Sequence, residues 1–306
     1  MRILLLGCAG QVGHELRGPL ATLGSVTAPG RDKLDLADAD GLRSCIRDLL
    51  PDVVVNCAAY NAVDDAERNA GEAMRINGDA VALLGEEAKA RRFGLVTFSS
   101  DYVFDGVTSR PLGENDPARP LNQYGVSKLA GERALFELDA PALILRTAWV
   151  WSAGPRGFVA TILRLARSQE RLRVVDDQVG NPTFARDLAF AVGAILHELR
   201  RDPHGSIRDA RGIYHLAGAT PASRHALATA ALAHDPRRAE HLARFVEAVP
   251  SSEMPTEAPR PAHAVLDCTK VRERFGVSLP GYLDALPRAL TEGALPAAAR
   301  IATPLP

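Results

Sequence analysis

The chain begins with Arg2-Ile3-Leu4-Leu5-Leu6 and breaks at once into Gly7-Cys8-Ala9-Gly10-Gln11-Val12-Gly13. The apolar run is too short for a helix and lacks alternation, the pattern of a strand buried on both faces. After the glycines, Val12 and Leu16 stand at helical spacing, and Gly18-Pro19 is expected to close that helix. Strand, glycine turn and helix form a cradle for a pyrophosphate. Gly7, Gly10 and Gly13 let backbone come close, and the helix N-terminus offers free N–H groups. At the first β–α junction of a chain this size, the arrangement favours dinucleotide binding over a bland turn.

The same alternation continues. Ser25-Val26-Thr27 reads as a second strand, and residues 38–50 carry Leu42, Ile46 and Leu49 at helical spacing before Pro51. Residues 53–57 are a third strand, 72–90 a long helix, 95–99 a buried strand, 123–137 a helix and 143–145 another strand. Repeated β–α units of this kind build a doubly wound parallel sheet, a Rossmann-like α/β fold. The second half is less regular, with helices over 158–167 and 185–199 and a strand over 213–216. We therefore expect a dinucleotide-binding domain over 1–150, joined again by segments near 184–217, and a smaller C-terminal substrate lobe within 151–306. Residues 250–261 hold four prolines and read as a loop over a site, and the tail from Leu295 is expected to fray.

With 306 residues, 46% hydrophobic and 24% charged, the chain has room for a large core. A net charge of −1 leaves no electrostatic footprint for nucleic acid or an anionic membrane, and no apolar run reaches spanning length. The N-terminus lacks a signal-peptide pattern. Cys8, Cys45, Cys57 and Cys268 share no metal spacing, which suits free thiols in a reducing compartment and a cytoplasmic location.

Tyr124 and Lys128 stand four apart in a helical context, so both side chains lie on one face. A nearby ammonium favours phenolate and suits a tyrosine to acid–base work near neutrality. Only four of 36 basic residues are lysine, so a titratable ammonium at 128 is notable where arginine is the default. Ser100 follows a buried strand, where a hydroxyl faces the crevice beyond the strand ends; the plainer reading is turn chemistry.

Together the glycine turn, Ser99-Ser100-Asp101-Tyr102-Val103-Phe104-Asp105-Gly106 and Tyr124-Gly125-Val126-Ser127-Lys128 resemble the extended short-chain dehydrogenase/reductases. Residues 56–67, 145–150 and 177–183, with Arg260-Pro261 and Leu266-Asp267, narrow the resemblance to the dTDP-4-dehydrorhamnose reductase family. The resemblance implies NAD(P)H-dependent reduction of the C4 ketone of a nucleotide-linked 4-keto-6-deoxy sugar, a small-molecule partner, in cell-surface polysaccharide synthesis. It implies Tyr124 as proton donor, Lys128 as the residue lowering its pKa and holding the nicotinamide ribose, and Ser100 polarising the carbonyl. It places Gly10, Gln11 and Val12 on the pyrophosphate, Ala58, Ala59 and Tyr60 along the crevice, and Phe98 behind the cofactor. Val63, Asp101, Tyr102 and Trp149 are implied sugar-nucleotide contacts, and Arg260 a diphosphate contact. Trp149 also has a competing reading as packing between the lobes. Trp151 stands where the family usually has tyrosine.

Some family members dimerise around magnesium. Glu15 matches one expected carboxylate, the others cannot be placed, and no metal is predicted, although the resemblance allows a homodimer. Arg31, at the end of the second strand, could meet the 2′-phosphate of NADPH, while Asp35, with Leu36 close behind, could bond ribose or adenine; both charges could equally be solvated. The expectation is use of both cofactors with NADPH preferred. A reductase of opposite C4 configuration and a non-catalytic regulatory subunit are the rival readings.

Overall fold

Ile3, Leu4 and Leu5 are wholly shielded from solvent because their strand runs through the middle of a parallel sheet. The computed structural model describes residues 1–293, so the tail expected to fray from Leu295 lies outside the described residues. In the first half β1 (Arg2–Leu6), β2 (Ser25–Thr27), β3 (Val53–Asn56), β4 (Gly94–Ser100) and β5 (Ala142–Thr147) alternate with helices. These are α1 (Gln11–Ala21), α2 (Ala39–Leu49), α3 (Val63–Arg68), α4 (Ala70–Met74), α5 (Ala80–Arg91) and α6 (Gln123–Glu137). The second half runs β6 (Val150–Trp151), α7 (Phe158–Ala166), β7 (Arg171–Val175), β8 (Val179–Gly180) and β9 (Thr183–Phe184). Then come α8 (Ala185–Leu199), α9 (Pro203–Asp209), β10 (Gly212–His215), β11 (Ala222–Ser223), α10 (Arg224–Ala233), β12 (Phe245–Val249), α11 (Thr269–Phe275) and α12 (Tyr282–Gly293).

Six strands join in the order β10-β5-β4-β3-β1-β2, every pair parallel. Alternate residues feed opposite layers, as the pleat demands. Ile3, Leu5, Val53, Val55 and Leu145 pack under α1, α8 and α11, whereas Leu4, Leu6, Val54 and Ile144 pack under α2, α5 and α6. The expected doubly wound architecture is therefore the one observed. Beyond it, Trp151 stacks on Phe184 with ring centroids 4.7 Å apart and seeds a separate cluster with Val159, Leu227 and Leu286. That cluster is the core of the smaller lobe. No helix among the described residues is long and apolar enough to cross a membrane.

Two helices depart from the sequence pattern. Gly18-Pro19 does not end α1, which continues to Ala21 with Pro19 inside it. A proline near the end of a helix forfeits one backbone bond, and here it also packs: a Cβ on Gly193 of α8 would come within 2.8 Å of the Pro19 ring. The long helix expected over 72–90 instead contains a π-helical turn, Arg75–Asp79, between α4 and α5. The turn aims Asn77 inward, where it accepts from Tyr60 N at 2.9 Å and donates to Tyr60 O and Ser127 Oγ, both at 3.0 Å. Such turns recur at functional positions in helices.

Helix α6 is buried on both sides and carries charge inward. Glu132 and Arg146 of β5 form a two-pronged ion pair at 2.6 and 2.9 Å, each side chain 3% exposed. Arg146 also lies over the Phe104 ring and beside His215 Nε2. Burial and the Arg146 charge hold His215 far below its ordinary value, to about 3. The neutral ring then donates from Nδ1 to Leu112 O at 3.0 Å and accepts from Arg146. Removing one member of such a pair strands a buried charge. Glu132→Ala is expected to cost about 3–5 kcal/mol, read as a lower urea midpoint with an unchanged slope.

Candidate active site

A cavity of about 390 Å³ opens beyond the carboxyl ends of β3, β4 and β5 and gathers side chains from both lobes. One rim is the β1–α1 turn. Gly7 adopts φ +74°, and a Cβ there would lie 2.5 Å from Ala58 N, so only glycine fits. Gly10 caps α1 without a side-chain hydrogen bond and gives its own N–H to Gly7 O at 3.0 Å, which leaves the N–H groups of Gln11 and Val12 at the cavity rim. Gly13 lies behind that rim, where it lets α1 settle against the Gly7 carbonyl. A bare helix N-terminus behind closely packed glycine backbone fits a dinucleotide pyrophosphate.

A neighbouring cavity of about 220 Å³ is lined by Gly7, Arg31, Asp35, Leu36, Ala58 and Ala59. Arg31 Nε meets Asp35 at 3.1 Å with most of the guanidinium in solvent. The Ala37 N–H and Arg31 hold the Asp35 carboxyl below its usual value. Arg31 and Asp35 thus share one rim, where an adenosine end would sit.

The chemistry is set by α6 and β4. Asn122 caps α6 by accepting from Gly125 N at 2.8 Å, and a Cβ on Gly125 would collide with the Tyr102 carbonyl. This close approach brings Tyr124 beside Ser100 and sets its ring edge-on to Tyr102, centroids 5.6 Å apart. Ser100 Oγ donates to Asp101 Oδ1 at 2.9 Å and accepts from Tyr102 N at 3.1 Å. Burial pushes the Tyr124 phenol above its ordinary pKa, opposed by the Ser100 hydroxyl and reinforced by Asp101 and Tyr102. The lowering expected from Lys128 is not the outcome in this structure, because desolvation of a wholly buried phenol dominates. Burial brings Lys128 down to about 8 against the pull of Glu132, and raises Asp101 to about 6. Ser99 Oγ, Asp101 Oδ2, Thr147 Oγ1 and Trp151 Nε1 are buried without hydrogen-bond partners, and all four residues line this cavity. Orphaned polar atoms converging on one space fit a polar ligand there.

Val63, Phe98, Ser100, Asp101, Tyr102, Tyr124, Lys128 and Trp149 therefore meet in one cavity. Gly7, Arg31, Asp35 and Leu36 line the neighbouring cavity instead, and besides Gly13 two expected residues, Tyr60 and Arg260, line neither. Tyr60 bonds Asp65 through its phenol, and its backbone is clasped by Asn77. Arg260 pairs with Asp64 at 2.7 and 3.1 Å and reaches the Tyr102 phenol from outside, in the proline-rich loop that folds beside the site. Glu15 is bonded by Arg186 at 2.9 Å. Trp149 has a left-handed backbone, φ 44°, and a half-buried indole: the Arg224 guanidinium lies 3.6 Å from the ring centroid, and Gly180 packs against the ring. Arg224, Thr147 and Phe158 also line the cavity; Thr147 lies in the 145–150 string, whereas Arg224 and Phe158 carry no local sequence motif and arrive by tertiary packing.

Residues 1–295 match the family described as RmlD substrate binding domain. A dTDP-4-dehydrorhamnose reductase of Burkholderia thailandensis is 41% identical over 286 residues, 92% of this chain and 95% of that protein. Among solved structures, a dTDP-4-dehydrorhamnose reductase from Clostridium acetobutylicum superposes with a TM-score of 0.86 at 30% identity, covering 95% of this chain and 99% of that one. The dTDP-4-dehydrorhamnose reductase of Bacillus anthracis, in complex with NADP, superposes at 0.85 with 27% identity and the same coverage.

The packing around Trp149 is testable. A Cβ on Gly180 would lie 2.7 Å from indole Cε2, and the β8 backbone cannot retreat freely. Gly180→Ala should cost about 1–3 kcal/mol through overpacking and press the indole toward the cavity. Equilibrium unfolding and tryptophan emission read the two effects.

Proposed function

This chain belongs to the dTDP-4-dehydrorhamnose reductase family, and we propose that it reduces the C4 ketone of dTDP-4-dehydro-L-rhamnose to dTDP-L-rhamnose with NAD(P)H. The observation that carries this reading is the convergence of Ser100, Tyr124 and Lys128 on one cavity whose rim is the bare N-terminus of α1. When bound, a nicotinamide cofactor would supply the hydride for C4. The chain's own residues handle the charge that this creates on the oxygen.

Tyr124 is the proton donor. Its raised pKa keeps the phenol protonated at neutral pH, the form a reduction consumes. Lys128, one helical turn away, is charged below about pH 8 and compensates the phenolate left after donation. The same ammonium holds the ribose of the cofactor. Ser100 has one proton, given to Asp101 in the free site. Turned onto the C4 oxygen, it polarises the carbonyl and frees both Asp101 oxygens for sugar hydroxyls. Tyr102, Val63 and Trp149 bound the sugar nucleotide, with Arg260 behind Tyr102. Phe98 backs the cofactor, and Ala58 and Ala59 border it.

The same reading assigns cofactor binding to residues 1–150 with the returning segment 184–217, and the sugar nucleotide mainly to 151–306. Both cofactors are used, NADPH in preference, because Arg31 offers a cation where a 2′-phosphate would lie. Glu15 is committed to Arg186, which supports leaving magnesium out of the mechanism. A cytoplasmic location belongs to this reading, and a homodimer is compatible with it. The shared name of the curated relatives and the intact Ser100, Tyr124 and Lys128 set favour it over an epimer-forming reductase or a non-catalytic subunit.

Product analysis by NMR, after incubation with the keto sugar nucleotide and NADPH, tests the reaction; the C4 epimer as product would overturn it. Tyr124→Phe should lower turnover by about two to four orders of magnitude while leaving cofactor binding nearly intact. As Lys128 must be charged, kcat/KM should fall as pH rises past about 8, the limb set by its lowered pKa. Arg31→Ala should raise KM for NADPH and leave KM for NADH little changed; equal changes would make Arg31 a surface charge only.

A further inference from the structure

The expected diphosphate residue, Arg260, is already neutralised by Asp64, which it grips with both terminal nitrogens. A second guanidinium stands closer to the chemistry. Arg224 is the first residue of α10 and lines the cavity that holds Ser100, Tyr124 and Lys128. Its guanidinium carbon lies over the Trp149 ring, 3.6 Å from the centroid, and 5.4 Å from the Phe158 centroid. Burial disfavours its charge, and among the described residues no carboxylate forms an ion pair with it. Asp101 and the Tyr102 phenol, which Arg260 also reaches, are its compensating neighbours. Asp101 is itself buried and has an oxygen free of partners.

We propose that Arg224 is a substrate-binding residue that grips the diphosphate of the nucleotide sugar, beside Tyr102 and Arg260. This rests on the reading of the cavity as a sugar-nucleotide site. A half-buried guanidinium without a paired carboxylate is a poor structural device, since its contacts with two aromatic rings offset only part of the cost of desolvating its charge. It is a good anion receptor: the planar fork presents two parallel N–H donors to phosphate oxygens. Its position at the start of a ten-residue helix adds the partial positive charge of the α10 N-terminus. Of the two arginines at Tyr102, Arg260 brings its own counter-ion and Arg224 brings none, so the attraction for an anion is centred on Arg224. The stack on Trp149 then has a second use. It holds the fork rigid, so that binding an anion orders little further.

Calorimetric titration of the full-length protein with dTDP and, separately, with thymidine tests this. Arg224→Met should weaken dTDP about 10- to 100-fold, the loss of charge-assisted hydrogen bonds, and leave thymidine affinity unchanged. Turnover should show the same loss as a higher KM for the keto sugar nucleotide with kcat nearly kept and KM for NADPH unmoved. Arg224→Lys, which keeps the charge and the helix but loses the fork, should fall between; it carries the test if the methionine variant does not fold. Equal weakening of dTDP and thymidine would make Arg224 a prop for Trp149 and overturn the proposal, as would unchanged dTDP affinity or a selective rise in KM for NADPH. Failure of the wild-type protein to bind dTDP at all would instead overturn the sugar-nucleotide reading, and this proposal with it.

Discussion

Two buried cations depend on one buried carboxylate. Glu132 accepts both prongs of Arg146 and, a turn earlier in α6, its charge favours the ammonium of Lys128. The first contact ties α6 to β5, and through His215 and Leu112 to the sheet edge and the loop beyond. The second keeps a lysine usable in a place that desolvation would otherwise leave neutral. Stability and chemistry thus share an atom pair. The helix shows why its sequence has so little amphipathic pattern: one side carries apolar residues into the sheet, and the other carries Tyr124, Lys128 and Glu132 inward as well.

The second lobe meets this frame across Trp149. That residue turns the chain from β5 into β6 in a conformation that a bulky side chain adopts only under constraint. The constraint is visible around its indole, where Arg224 lies over the ring and the β8 glycine packs against it. Gln11 makes a further link, accepting from Ser152 at 2.9 Å, so the rim of the glycine turn is hydrogen-bonded to the lobe opposite. The cavity walls are therefore cross-braced by polar contacts, with the apolar clusters set back from them.

Local patterns were legible where local physics decides them. The buried run before Gly7 is legible from its length and unbroken apolarity, and the helix face shared by Tyr124 and Lys128 and the helix over 185–199 stand where their period puts them. Pro19 was misleading because its cost is small near a helix end and is offset by packing on α8. The π-helical turn leaves no mark in composition. Tyr60 and Arg260 stand next to the site through intermediaries, a distinction that spacing cannot draw. Arg224 was missed because it is one arginine among many surface arginines until the fold sets Trp149 beneath it. The direction of the Tyr124 shift depends on how completely the phenol is enclosed, which is a property of the assembled lobes.

The π-helical turn has a consequence for how this chain can change length. Asn77 clasps Tyr60 and Ser127, and Ser127 Oγ in turn donates to the Tyr124 carbonyl at 2.7 Å. A turn of this kind is one residue more than a regular helix needs. Deleting one residue from Arg75–Asp79 would restore a regular helix and leave α4 and α5 nearly in phase, yet remove the bulge from which Asn77 reaches Tyr60 and Ser127. The irregular helix is in this sense a spacer of fixed length, and the chain can tolerate insertions at its loop tips far more readily than a tidier spiral here.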